Sequence, residues 1–197
     1  MANINKITDI DSANVSKIND VASANIIKVG NDYLIEPTPP VPTGYTANLS
    51  DTPANATGSL AHNGRVPGRA FDGLNSSFSG GNIFHTIQAY NWLTYDFGLG
   101  NEKQIMKYNI KGEDGPTYYS DMSPKSYTFE GSNNNVDWDI LDTQTNQTSW
   151  TRNVFNEYTI INSTSYRYYR LNNMLSSWTT GENLMIGEVE MMEGTYN

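Results

Sequence analysis

From about residue 45 onward, large apolar side chains alternate with polar ones. In residues 91–97, Trp92, Tyr95 and Phe97 are interleaved with polar groups, and the run stops at Gly98. Residues 104–111, 126–131, 138–141, 166–171 and 185–191 are similar short runs rich in Ile, Val, Tyr, Phe and Thr. Such side chains suit a pleated, half-buried surface, and a period of two gathers them on one face. Asn133, Asn134 and Asn135 form a turn between two of these runs, with Asn135 where a positive φ is expected. Many short strands with regular turn signals and no useful helical period predict an all-β sandwich. Trp92, Trp138 and Trp150 are expected in its core.

The first thirty residues follow a different rule. Residues 7–17 are echoed by residues 18–28, a period of eleven in which Ile10 matches Val21 and Lys17 matches Lys28. On a helix, Ile7, Ile10, Val15, Ile18, Val21, Ile26 and Val29 would share a stripe about 160° wide. The β-branched, Asn, Asp and Ser content disfavours a helix. A helical stretch and short turn-and-strand repeats both remain open. Either form is too short to bury its own apolar face and should pack on another chain or surface. Four prolines at positions 37, 39, 40 and 42 then impose an extended spacer. The expected organisation is an anchor over residues 1–35, a linker over 36–45 and a sandwich over 46–197.

Composition narrows the partners. Hydrophobic residues make up 37% of the chain and aromatics 12%, so the core is built from few but large side chains. Twelve basic residues face 21 acidic ones, for a net charge of −9. A phosphate-backbone partner needs clustered Lys and Arg, so no nucleic acid is expected. Anionic membrane surfaces are disfavoured for the same reason. With no cysteine, disulfides, thiolate metal sites and cysteine nucleophiles are excluded. The first ten residues lack the basic-then-apolar order of a secretory signal, and no apolar run approaches the ~20 residues that span a bilayer. An extracellular role would therefore be reached by lysis or particle assembly. There is no HExxH, GxSxG or glycine-rich phosphate loop, and two histidines offer few nucleophile–base pairs. A binding protein, not an enzyme, is expected.

Six fragments in one order sharpen this. Residues 70–73 (AFDG), 92–98 (WLTYDFG), 123–133 (SPKSYTFEGSN), Trp138, 166–171 (YRYYRL) and 186–190 (IGEVE) resemble the coagulation factor V/VIII type C, or discoidin, family. The bacterial branch they most resemble is carbohydrate-binding module family 32. The likeness spans roughly residues 46–193. It implies a discoidin/galactose-binding-like jelly-roll sandwich that binds carbohydrate, commonly with one structural calcium ion. By position it assigns Asp72 and Glu188 as side-chain ligands, with Asn75 and Ser77 on the returning loop. Calcium takes six to eight hard oxygens, many from irregular loops, so the set is chemically sensible. Ser77 replaces the family's usual Thr, and the run 79–84 replaces a Trp expected soon after it.

The same resemblance suggests saccharide contacts. Phe84-His85-Thr86 is similar to the Trp-His-Thr of the carbohydrate-binding branch, whose His reaches the sugar site at the loop end. His62 and Arg65, from residues 61–65, are candidates from a neighbouring loop. Trp178, in the late loop, is the stacking aromatic. Asp114 and Tyr118 come from a further tip loop, residues 113–119. The family's usual Arg and Asn are missing from that region, so the ligand is not specified.

The N-terminal repeat resembles short "ANI.KI..V" stretches near the start of bacteriophage structural and tail-associated proteins. That implies a virion surface component held to other subunits through residues 1–35, most simply as a homo-oligomer, and adhering to cell-surface or environmental polysaccharide. The alternative is a purely structural decoration protein without a sugar site.

Overall fold

The computed structural model describes residues 40–74, 81–112, 121–151, 153–178 and 183–196, together with the backbone of five short strands before them. The chain divides into two compact units, Met1–Val41 and Pro42–Asn197.

The first unit holds strands β1 (Ile7–Thr8), β2 (Lys17–Ile18), β3 (Val21–Ala22), β4 (Ile26–Val29) and β5 (Asp32–Ile35). β2 pairs with β3 through Lys17↔Ala22 and Ile18↔Val21. β4 pairs with β5 through Lys28↔Tyr33 and Val29↔Asp32, among others. The second pairing is the first displaced by eleven residues, so the sequence period is a repeated hairpin. β1 joins the edge of β5, with Ile7 opposite Tyr33. Strands prevail because Ile and Val favour extended backbone while the two-residue gaps, Asn19-Asp20 and Gly30-Asn31, carry turn-forming residues.

The second unit is the all-β sandwich. Its strands are β6 (Gly44–Tyr45), β7 (Ala56–Gly58), β8 (Phe84–Thr86), β9 (Asn91–Asp96), β10 (Ile105–Lys111), β11 (Pro124–Ser132), β12 (Asp139–Gln144), β13 (Phe155–Thr159), β14 (Tyr168–Ser176), β15 (Leu184–Ile186) and β16 (Glu188–Thr195). One sheet runs β13-β10-β16-β6 and the other β12-β11-β14-β9-β7, with β15-β8 as a small third sheet. All the pairings are antiparallel.

The core lies between the two large sheets and follows the period of two. Leu93 and Tyr95, Tyr127 and Phe129, and Tyr169 and Leu171 come from one sheet; Tyr108, Ile110, Val189 and Met191 come from the other. Tyr108 stacks on Phe129 across the interface at 4.2 Å between ring centroids. Such aromatic pairs add about 0.5–1.5 kcal/mol beyond the area they bury. Gly131 sits where a Cβ would lie 2.4 Å from the Tyr166 ring, so only glycine fits beneath it. Asn135 has φ +59°, as its turn position required.

The tryptophans depart from expectation. Trp92 is 39% exposed, because the inward phase of β9 is Leu93 and Tyr95, and Trp92 has the opposite parity. Trp138 is half-buried outside the core, 3.9 Å from the Arg170 guanidinium carbon to the ring centroid. Only Trp150 packs against the core, its indole N–H donating to the Gln147 carbonyl at 3.3 Å.

Candidate functional site

β8 is only three residues long, yet it is held on both sides. β15 pairs with it through Leu184↔Thr86, Met185↔His85 and Ile186↔Phe84. On the other edge, the His62 N–H donates to the His85 carbonyl at 2.7 Å and the His85 N–H to the Arg65 carbonyl at 3.1 Å. Alternation then separates two faces. Phe84, Leu184 and Ile186 join the main core, whereas Ile83 and Met185 form a second apolar cluster with Met122, against which Trp178 packs. His85 has the parity of Ile83 and lies opposite Met185, so it belongs to that second face. Four of the expected side chains, His62, Arg65, His85 and Trp178, are therefore gathered around one small sheet.

His85 is 5% exposed, and Trp178 is half-buried. Both are more enclosed than tip-loop side chains. The His85 Nε2 lies 2.9 Å from Asn183 Oδ1, and its ring meets the His62 ring edge-on at 4.9 Å. Burial holds the His85 pKa below its ordinary value, outweighing the Asn183 hydrogen bond, and the charges of His62 and Arg65 act in the same direction as burial. Burial thus favours the neutral imidazole. With Nε2 donating to Asn183, Nδ1 is a bare acceptor, buried and without a hydrogen-bond partner. Asn183 escaped the sequence reading because only the sheet pairing brings it to His85.

A second unusual group starts β16. Glu188 is 2% exposed, and neither carboxylate oxygen has a hydrogen-bond partner. Burial pushes its pKa up to about 8; the nearby Gly73 N–H lowers it without closing a bond of normal geometry, and the charge of Asp72 raises it. Lys111 stands opposite Glu188 in the register, but its ammonium lies over the Phe155 ring at 4.5 Å. Asp72 follows the short 3-10 turn Pro67–Ala70 and is anchored by buried Phe71. Its Oδ1 accepts the Leu74 N–H at 3.0 Å, around Gly73 at φ +66°. Asp72 also lines an open cleft of about 460 Å³ between Pro53–Asn55 and Pro67–Ala70.

An orphaned buried carboxylate beside a second acid is costly unless a cation joins them. The donor set fits a hard cation such as calcium. Among the described residues no cluster of three acidic, His or Cys side chains occurs, so carbonyl or hydroxyl oxygens would complete the shell. Asn75 and Ser77, expected to supply them, lie outside the described residues, as do Asp114 and Tyr118 of the tip loop.

The sequence profile of the F5/8 type C domain matches residues 53–188. No curated protein sequence matches the chain. Similar solved structures include truncated AlyQ with CBM32 and alginate lyase domains, at 16% identity and TM-score 0.59, covering 78% of this chain and 34% of that one. The chain thus spans about a third of the length of that protein. A Streptococcus pneumoniae fucose binding module matches at 19% identity and TM-score 0.57, covering 74% of this chain and 96% of that one. CBM62 from Clostridium thermocellum Xyl5A matches at 24% identity and TM-score 0.56, covering 76% and 98%. At these identities the likeness is one of fold.

Proposed function

Because the chain belongs to the F5/8 type C domain family, we propose that its sandwich is a non-catalytic carbohydrate-binding module whose site lies beside β8 and β15, at the half-buried side chains of His62, Arg65 and Trp178. The observation that carries this reading is the gathering of half-buried His62, Arg65 and Trp178 around buried His85, whose carbonyl and N–H hold the His62 and Arg65 backbone in place. Arg65 supplies a fork of donors, His62 a second imidazole, and Trp178 an apolar surface for the C–H side of the ring. The fucose binding module and the CBM-bearing proteins that share this fold support a saccharide over other small ligands.

Calcium would complete the reading: Asp72 and Glu188 would hold it through their side chains, with Asn75 and Ser77 as further ligands, and it would supply the countercharge that Glu188 lacks.

The N-terminal hairpins serve as the anchor. Sheets of two and three short strands are marginal in water, and their open edges invite a partner. Residues 1–35 would join other subunits of a particle, most simply copies of this chain on a virion surface. Repeated copies would then convert weak single-site binding into adhesion.

A glycan array with the multimer, in calcium and in chelator, tests the module. Binding to a defined subset is expected, and His85→Ala and Trp178→Ala should each weaken it about tenfold or more while the sandwich stays folded by circular dichroism. Failure to bind any glycan in either condition would sink the proposal.

A further inference from the structure

The loop joining β8 to β9 is built to hold its shape and to show its side chains. Residues 87–90 are all exposed. Asn91, fully buried, accepts the Thr86 hydroxyl at 2.8 Å and donates through Nδ2 to the Gln88 carbonyl. The Gln88 side-chain oxygen accepts the Leu60 N–H at 3.2 Å. Trp92 is tied in turn to Ser59, donating its N–H to Oγ at 2.9 Å and accepting the Ser59 N–H at 2.9 Å.

Within this frame Tyr90 is an outlier. Its φ is +56°, a left-handed conformation that bulky residues rarely adopt and that Asn or Gly holds far more easily. Strain of that kind persists where something other than local preference selects the residue. Core packing does not select it, because Tyr90 is 68% exposed. Its neighbours are also displayed: Trp92 at 39%, Ile87 at 48% and Leu60 at 75%. A rigid apolar patch of this kind marks a contact surface.

The patch adjoins the His62–His85 segments: Ile87 is two residues beyond His85 and Leu60 two before His62, and the Leu60 N–H bond to Gln88 ties the two stretches together. Two residues of chain reach at most about 7 Å, comparable with one hexose and its linkage. No charged residue occurs from position 87 to 92, and the chain is acidic overall, so a phosphate-bearing partner has nothing to hold. Two exposed aromatic side chains offer apolar surface to the C–H side of a neutral sugar.

We infer that Tyr90 and Trp92 form a second stacking subsite beside the His62–His85 face, so that the ligand is an oligosaccharide and not a single sugar. This rests on the carbohydrate reading of the β8–β15 face and adds a length requirement to it.

The test is calorimetric titration with D-galactose and L-fucose and with the di- and trisaccharides built from each. For the wild-type protein, the trisaccharide of one series should bind about tenfold or more tighter than its monosaccharide. In Tyr90→Ala and Trp92→Ala that ratio should fall to about twofold. Tyr90→Asn, which suits the left-handed backbone, should lose the ratio equally while unfolding no earlier than the wild type. A wild-type ratio near one, or a ratio that survives these substitutions, overturns the inference and leaves the module reading standing. Absence of binding in both series overturns the inference and the module reading together. A concentration-dependent dimer dispersed by Tyr90→Ala would reassign the patch to a second copy of the chain and overturn the inference.

Discussion

Replacing Glu188 by glutamine keeps the shape of a buried side chain and removes its charge. In the ion-free protein the Glu188 pKa stands at about 8, against an ordinary 4.5. Between these values the folded chain holds a proton that the unfolded chain has lost, so stability falls as pH rises through this window. Below it both states are protonated and the penalty vanishes; above it both are ionised and the penalty is complete. At about 1.36 kcal/mol per pH unit the full loss is at most about 5 kcal/mol. The substituted chain cannot ionise there and should lack this slope.

Urea unfolding of both proteins at about pH 5 and about pH 8.5, in chelator, gives the comparison, because every other titrating group is shared. The wild type should lose several kcal/mol relative to Glu188→Gln on going to the higher pH. Added calcium should restore the wild type alone, by about 2.7 kcal/mol at a hundredfold excess over its dissociation constant. Since the ion displaces the proton, its apparent affinity should fall about tenfold per pH unit below pH 8. Parallel pH profiles for the two proteins in chelator would refute the argument from burial. An equal calcium response in both would refute the assignment of Glu188 as a ligand.

Two further outcomes probe the core. Gly131→Ala drives a Cβ to 2.4 Å from a Tyr166 ring whose hydroxyl is held by Asp139 at 2.7 Å, so unfolding should ease by about 2 kcal/mol; an unchanged urea midpoint would contradict the tight fit. Tyr169→Phe removes a hydroxyl that accepts the Ile105 N–H at 3.1 Å and donates to the Lys103 carbonyl, and should cost about 2 kcal/mol. Tyr127→Phe removes a buried hydroxyl with no partner of bonding geometry and should be nearly neutral, so equal losses in the two variants would count against this difference.

The strands were legible because burial imposes a period of two, and residues such as Tyr108, Ile110, Val189 and Met191 obey it. The size of Trp92 points to the core but its parity points outward, because Leu93 and Tyr95 set the inward phase of β9. The eleven-residue repeat suits a helix of 3.67 residues per turn as well as a chain of hairpins, and apolar spacing alone could not separate them. The turn-forming pairs Asn19-Asp20 and Gly30-Asn31 held the deciding information. At the site, His62, Arg65 and His85 were legible through the motifs that contain them. Asn183 was not, since its role depends on which strand pairs with β8. Position could suggest Glu188, but only the packing of β16 shows both its oxygens without partners. Tyr90 carried no sequence signal, because its strain lies in φ.

The site and the cation loop share two pieces of chain, which bears on what an ion could do here. Arg65, hydrogen-bonded to one edge of β8, is seven residues before Asp72 and joined to it by a tight 3-10 turn. Met185, on the other edge, is three residues before Glu188, with buried Ile186 and the Gly187 N–H bonded to the Lys111 carbonyl at 2.8 Å between them. Segments this short and this well anchored transmit a displacement instead of absorbing it. An ion tying Asp72 to Glu188 would therefore join, at their far ends, the same two segments that grip His85 from either side. Without it, Glu188 holds a proton below about pH 8 and nothing ties those ends together; above that pH its charge and that of Asp72 repel. With such an ion bound, the acidic pair and the imidazole face would move as one unit.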